Sequence, residues 1–343
     1  MLIYVKLTNK CNIACKHCYN SVCDTKVDMS DEYLEKVIEI IENRWKSLPM
    51  GEHLDVALHG GEPTLFDLKK LRYLCGEIIA CGATVSATTN LMYEITTDHL
   101  KLFNMFVRED GTRLIVTSWD GGNVRFKDEE AYETWFWNVR YLLGQHYDVQ
   151  PIITLTKPVL EMTPKEIYDE MREVGVSKLN FERLTHTGRA ENNKDLWVSN
   201  RDVDKWLGEA YKLNEMEYKF DIPLFKELEL AHEGIKTGCK ARMCSLKVLT
   251  INPDGTIACC PNDPLTCVAH LDRWKYEERT PEEHETHRKL IMRESRRSSE
   301  CLACEYYTEC NGECFQLQWD ETGCPGMIET IKNIRLNYKG ELF

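Results

Sequence analysis

Residues 2–18 read LIYVKLTNKCNIACKHC, and the rest of the chain is organised by what this stretch contains. Residues 2–7 have the aliphatic and aromatic composition of a short strand. Directly behind them, Cys11, Cys15 and Cys18 are spaced C-x3-C-x2-C. Sulfurs at such short intervals reach one centre when the chain folds back on itself. Three thiolates suit an iron–sulfur cluster that leaves one iron without a protein ligand. A structural zinc site takes four ligands, and His17 could supply the fourth, so zinc is the competing reading of the same residues.

Outward from that loop, strand-like and helix-like segments alternate. Ser30 is placed to cap a helix with Leu34, Val37, Ile38 and Ile41 on one face and Asp31 and Glu32 in its first turn. Residues 54–58 read as a strand ended by the turn Gly60-Gly61. A helix with Leu68, Leu71, Leu74, Cys75 and Ile78 on one face follows. Further strands are expected at 84–89, 114–118, 152–156 and 179–184. Helices are expected at about 99–106 and 129–143, and from Thr163-Pro164 to Val174, where proline holds the favoured first position. Six strand–helix repeats with short links predict an α/β fold, a partial (β/α)6 TIM-type barrel over residues 1–195. Chemistry in such a fold sits at the C-terminal ends of the strands. Residues 191–195 read as a polar linker opening a helical connection over 196–238, with Val203, Trp206, Leu207 and Tyr211 as an apolar stripe. Residues 239–343 read as a small cysteine-rich subdomain organised around metal rather than a large apolar core.

Composition narrows the classes. The chain has 343 residues, 43% hydrophobic and 29% charged, as in ordinary globular proteins. No stretch approaches the ~18–20 apolar residues of a membrane span. The N-terminus lacks the basic-then-apolar build of a secretory signal, so a cytoplasmic location without a membrane partner is expected. Net charge is −13, from 43 Lys and Arg against 56 Asp and Glu, which disfavours indiscriminate binding to nucleic acid or anionic membrane. The densest basic run, Arg288, Lys289, Arg293, Arg296 and Arg297, reads as a solvated helix face. The 16 cysteines are too many and too clustered for a reducing compartment unless they hold metal. None lies between Cys81 and Cys239.

The N-terminal motif resembles the signature of the radical S-adenosyl-L-methionine (SAM) superfamily, C-x3-C-x-aromatic-C in the loop after the first barrel strand. His17 holds the aromatic position, which stacks on adenine in that family. There the open iron is chelated by the amino and carboxylate groups of SAM. One electron then breaks the S–C5′ bond, and the 5′-deoxyadenosyl radical abstracts a substrate hydrogen. Gly60-Gly61-Glu62-Pro63 resembles the family's GGEP motif, which binds the SAM amino group. Its glycines would allow backbone approach, and Glu62 would offer a carboxylate to the ammonium. Asn90 is similar to the end of a Thr-Asn segment on the third strand. Ser118-Trp119-Asp120-Gly121 resembles a Ser-Ile-Asp-Gly motif near the SAM ribose, and Arg125 matches an arginine that pairs with the SAM carboxylate.

Toward the C-terminus, Cys301, Cys304, Cys310 and Cys314 form C-x2-C-x5-C-x3-C, with Cys324 ten residues on. Cys244 precedes Gly255, and Cys260 follows that glycine. This resembles the SPASM extension of radical SAM enzymes, with Cys239 as the eighth thiol. The resemblance implies two auxiliary 4Fe–4S clusters, hence three in all. Cys239, Cys244, Cys260 and Cys314 would hold one, and Cys301, Cys304, Cys310 and Cys324 the other. A pair of tetrathiolate zinc sites is the competing reading. The glycine spacing favours Cys260 over Cys259. Cys23, Cys75 and Cys81 are left over, the last two expected in the core.

What the resemblance implies about activity is hydrogen abstraction from a carbon of an amino-acid residue or aminoacyl group. Peptide or protein modification by crosslinking, oxidation or epimerisation is the expected outcome. The alternatives are phage-type nucleic-acid hypermodification, by rearrangement of an aminoacylated thymine, and a non-catalytic iron–sulfur redox scaffold. The base that some members of the family carry after the third auxiliary ligand is absent here or displaced to Asp263, and Cys267 is a candidate hydrogen-atom donor or spare ligand. An external one-electron reductant of flavodoxin or ferredoxin type and a monomeric state are expected.

Overall fold

The computed structural model describes residues 1–22, 26–121, 124–263, 265–274 and 278–337; Cys23 and the last residues of the expected C-terminal unit lie outside these ranges. Strand β1 (Leu2–Thr8) buries Ile3, Val5 and Leu7 on one face and Lys6 and Thr8 on the other, as an interior strand of a parallel sheet does. Helix α1 (Asp31–Ser47) starts where Ser30 accepts a hydrogen bond from the Tyr33 amide, and it buries Leu34, Val37, Ile38, Ile40 and Ile41. Next come β2 (Asp55–Gly60), α2 (Leu68–Ala80), β3 (Thr84–Ala87) and α3 (Thr97–Phe103). They are followed by β4 (Leu114–Ser118), α4 (Glu129–Gly144), β5 (Asp148–Leu155) and a single turn, α5 (Lys157–Leu160). Helix α6 (Pro164–Val174) opens with a Thr163/Glu166 capping box and stops at Gly175, whose φ is 97°. Strand β6 (Asn180–Arg183) follows.

All pairings among β1–β6 are parallel: β1 with β2, β2 with β3, β4 with β5 and β5 with β6. A bridge between Thr88 and Val116 joins the two groups, with the Thr89 amide donating to the Val116 carbonyl at 3.0 Å. The six strands therefore curl into an open (β/α)6 barrel.

Two departures from the sequence-based expectations shape the rest. The polar stretch 191–195 is partly helical: α7 (Arg189–Asn192) begins behind Gly188, whose φ of 60° turns the chain. Helix α8 (Asn200–Leu213) starts before Asp202 because Ser199 accepts from the Asp202 amide. Then follow α9 (Pro223–His232), α10 (Gly238–Ala241) and α11 (Cys244–Lys247).

The second departure is larger. Strand β7 (Val248–Ile251) pairs in parallel with β1, Leu2 opposite Val248 and Val5 opposite Ile251. Strands β8 (Thr256–Ala258) and β9 (Ala269–His270) add antiparallel neighbours, giving the order β3-β2-β1-β7-β8-β9. The cysteine-rich segment thus continues the barrel sheet across residue 239. Unpaired, β1 would be an open edge, and β7 covers it. Turn α12 (Leu271–Trp274) precedes α13 (Pro281–Ser295), which carries a Thr280/Glu283 capping box. Turns α14 (Ser299–Leu302) and α15 (Tyr307–Cys310) lead to α16 (Ile328–Asn337). Helix α16 is fixed to α8 because buried Asp204 accepts from the Glu329 and Thr330 amides. Among the described residues no helix is long and apolar enough to cross a membrane.

Candidate active site

The loop after β1 is held from three sides. From β2, the Gly61 amide donates to Thr8 and the Glu62 amide to Lys10, each at 2.8 Å. A Cβ on Gly60 would fall 2.1 Å from the Thr8 oxygen, and one on Gly61 would fall 2.0 Å from that of Lys10. The two glycines therefore let the turn after β2 lie against the cysteine loop. On another side the Lys16 amide donates to the Val124 carbonyl at 2.9 Å. From α7, the Arg189 amide donates to Cys18 and its side chain to the Cys15 carbonyl, both at 3.1 Å. Gly188 sits so close that a Cβ would be 2.4 Å from the Cys18 oxygen. Cys11, Cys15 and Cys18 face one space, in which Arg125 acts electrostatically on Cys11 and Cys15. Burial pushes the Cys15 thiol up to about 11, and Arg125 opposes that rise.

The residues expected around SAM gather at the C-terminal ends of β2–β5. Glu62 is buried and fully engaged. Its carboxylate accepts from the Thr64 amide (3.1 Å), the Thr64 and Thr89 hydroxyls (2.8 Å each) and the Asn90 amide (2.7 Å). Besides facing the cavity, it ties the end of β3 to the turn after β2. Asn90 points its amide nitrogen at Asn12 (2.7 Å) and at the Cys11 sulfur (3.9 Å). Asp120 is wholly buried, pairs with Arg125 at 2.6 Å and accepts from the Thr154 amide at 2.8 Å. Burial opposes charge on Arg125, but Cys15 and Asp120 reverse that and raise its proton affinity. His17 is turned into the wall: its Nε2 lies 3.7 Å from Asp120 and 3.4 Å from the Thr154 hydroxyl, and its Nδ1 has no partner among the described residues. Burial lowers its pKa more than Asp120 raises it, which favours the neutral ring. Ser118 and Gly60–Glu62 line the cavity, and Pro63 opens the buried turn behind them.

The C-terminal thiols fall into two groups. Cys239 and Cys314 share a hydrogen bond, and Cys244 and Cys260 lie close enough to act on Cys239 electrostatically. Cys324 is similarly close to Cys301, Cys304 and Cys310. In the bend just after β8, Cys259 turns into the apolar core, 2% exposed, while Cys260 lines the cavity. Cys75 is core as well, and Cys81 is half-buried. Asp263 and Cys267 turn away from the cavity. Asp263 accepts from Gln316 at 2.9 Å, and the Cys267 thiol donates to the Ala269 carbonyl at 3.1 Å. Among the described residues no three His, Cys, Asp or Glu side chains converge on a single-ion position. A four-iron cluster instead spreads its thiolates over separate irons.

One cavity of about 1570 Å³ joins the first loop to the Cys239 group. Three residues that the sequence reading did not single out matter here. Lys6, buried in β1, donates to Asn20 at 3.1 Å and to the Pro261 carbonyl at 2.9 Å, linking the segment behind the first cysteine loop to the one behind Cys260. A lysine inside an otherwise apolar strand was the available signal. His59 accepts from the Gly60 amide, and burial followed by Lys6 pushes its pKa down to about 3. Glu182 on β6 opens to the cavity and makes no hydrogen bond or ion pair with the described residues. Loss of solvation inside the cavity and then Asp120 push its pKa up to about 7.

An open parallel barrel with a thiol loop after its first strand and a cysteine-rich continuation is the fold that the radical SAM resemblance of the sequence implies. A family model described as a 4Fe-4S single cluster domain matches residues 2–108. Among solved structures, the chain is similar to native anSMEcpe with bound AdoMet and the Cp18Cys peptide. The identity is 16%, covering 98% of this chain and 96% of that one, with a TM-score of 0.76. It is also similar to Streptococcus suis SuiB bound to its precursor peptide SuiA, at 15% identity over 92% of this chain and 72% of that one, with a TM-score of 0.58. No curated protein matches.

Proposed function

We propose that this chain is a radical SAM enzyme that abstracts hydrogen from a carbon of an amino-acid residue within a peptide. The observation that carries the reading is the single cavity shared by Cys11, Cys15, Cys18 and the Cys239 group, bordered by Glu62, Asn90, Ser118 and Arg125. The donor set fits the groups: three thiols for a cluster with one open iron, and two sets of four for complete ones. Cys11, Cys15 and Cys18 would hold the first. Cys239, Cys244, Cys260 and Cys314 would hold the second, and Cys301, Cys304, Cys310 and Cys324 the third. When bound, SAM and the first cluster supply homolytic S–C5′ cleavage.

The chain's own residues bind, orient and insulate. Arg125, fixed by Asp120, offers its remaining donors to a carboxylate. Asn90 steadies the loop through Asn12. At about 1570 Å³ the cavity exceeds the roughly 300–1,000 Å³ of ordinary small-ligand sites, and two clusters, SAM and a peptide segment would share it. Peptides bound to anSMEcpe and SuiB favour that substrate class.

Anaerobic reconstitution with SAM and dithionite tests the reading. About twelve irons per chain and formation of 5′-deoxyadenosine are expected. Zinc in the same positions, or no 5′-deoxyadenosine, overturns it. Deuterium transfer into 5′-deoxyadenosine from Cα- or Cβ-labelled peptides tests the substrate class. Transfer only from an aminoacylated nucleoside would replace peptide with nucleic acid.

A further inference from the structure

A second cavity of about 550 Å³, separated from the large one by Cys314 and Leu317, is walled by Arg242, Arg293, Arg296 and Arg297. Glu300 is the one acid on that wall. Elsewhere arginines find carboxylates: Arg125 with Asp120, Arg288 with Glu285, Arg335 with Glu309. These four do not pair with one among the described residues. Arg242 donates to the carbonyls of Gly312, Glu313, Arg293 and Arg296. Arg297 donates to the carbonyls of Glu294 and Arg296 and to the Asn311 side chain. Arg293 reaches only Gln316 and lies over the Phe315 ring. The Nε groups of Arg242 and Arg297 are buried without a hydrogen-bond partner among the described residues. Backbone carbonyls hold the guanidinium groups in place but do not neutralise them. In a chain of net charge −13, four such cations side by side form a standing anion site.

The same cavity exposes two thiols, Cys301 and Cys314, one from each C-terminal group. Trp319, half exposed, stands on its rim, and Leu302 is exposed on the adjoining turn. Arginine with aromatic anchors is the composition of protein–protein contact centres. A phosphate backbone or a substrate leader would also meet the cations, but neither gains from thiols at the floor. An electron carrier does, because it must bring its redox group close to the acceptor.

Resting on the proposed function, we propose that this arginine-walled cavity docks an acidic one-electron carrier protein and admits its electron through the cluster held by Cys301, Cys304, Cys310 and Cys324. The step is a bare electron transfer: the carrier is oxidised by one electron, that cluster is reduced by one, and no bond or proton moves.

The test uses the reconstituted enzyme, an acidic flavodoxin, and the exposed pair Arg293→Glu/Arg296→Glu, with Arg296→Gln as a milder variant. Calorimetry with oxidised flavodoxin reads docking independently of turnover. Photoreduced flavodoxin and dithionite are compared as drivers of 5′-deoxyadenosine formation. In the double variant, flavodoxin affinity and flavodoxin-driven kcat/KM should each fall about tenfold or more at low ionic strength. Arg296→Gln should fall between, and the dithionite-driven rate should not change. Raising the salt should shrink the gap. Equal flavodoxin binding and kinetics in variant and parent overturn the inference. So does a loss of peptide turnover with dithionite as well, which would assign the patch to substrate. Absence of 5′-deoxyadenosine from the parent with dithionite would instead sink the proposed function, and calorimetry would still decide the docking.

Discussion

Glu62 is expected to act first as a brace. Its carboxylate takes four hydrogen bonds, two from backbone amides at Thr64 and Asn90 and two from hydroxyls. In Glu62→Ala the hydroxyls can rotate to other partners, but the two amides cannot. Each buried unsatisfied amide costs about 1–3 kcal/mol, so the loss is about 4 kcal/mol at mid-range. Unfolding entropy of about 2.1 cal/mol/K per residue over 343 residues converts this to a Tm fall of about 6 °C. Glu62→Gln keeps an oxygen for Thr64 and Thr89 but turns an N–H toward the Asn90 amide, so one bond is lost. That costs about 1–3 kcal/mol, a fall of about 1–4 °C. The assay is thermal unfolding of the metal-free protein, which separates bracing from ligation, followed by iron content after reconstitution. Because Asn90 carries Asn12 and approaches Cys11, both variants should retain only about eight of twelve irons. A metal-free Glu62→Ala protein melting within about 1 °C of the parent would refute the reasoning.

Gly61→Ala should cost the first cluster's iron, since its Cβ would lie 2.0 Å from the Lys10 oxygen. Gly76→Ala, in open space on α2, is the control and should gain about 0.5–1 kcal/mol in a denaturant titration. Cys260→Ser should lower iron content, while Cys259→Ser should keep all the iron and lose about 1–3 kcal/mol of stability by placing a hydroxyl in the apolar core. His59 stays neutral in the folded chain down to about 3, whereas the unfolded chain takes up its proton near 6.5. Its contribution to stability is therefore full above pH 6.5 and is lost as the pH falls toward 3. Urea titrations should show a shallower pH dependence over that window in His59→Gln.

Local chemistry was legible in the sequence, and distant partners were not. Ser30, Thr163-Pro164 and the β-branched run 114–118 carry their own signals within a few residues, and these elements appear where those signals put them. Helix α13 was read only as a solvated face carrying Arg288, Lys289 and Arg293, without bounds, because its buried positions are few, Glu283, Leu290 and Glu294, so it has little apolar periodicity to read. The site motifs were visible as residues, but their roles turn on contacts across the chain. Gly60 and Gly61 fit as backbone spacers for a ligand until Thr8 and Lys10 appear beneath them. Asp263 and Cys267 lie near cluster cysteines in sequence, yet hydrogen bonds to Gln316 and Ala269 turn them elsewhere. Lys6 finds its partner at Pro261, a pairing no periodicity encodes.

The parallel seam between Leu2–Val5 and Val248–Ile251 sets an order on biogenesis. The first cysteines leave the ribosome early, beside a strand whose outer edge stays bare until residue 251 has been made. Pairing over such a sequence separation is slow, so the loop after β1 stays open to oxygen, to adventitious metal and to other strand edges until β7 has been made. Cells producing this protein should therefore gain more holoenzyme from slower elongation or from chaperones acting late in synthesis than from extra iron supply alone.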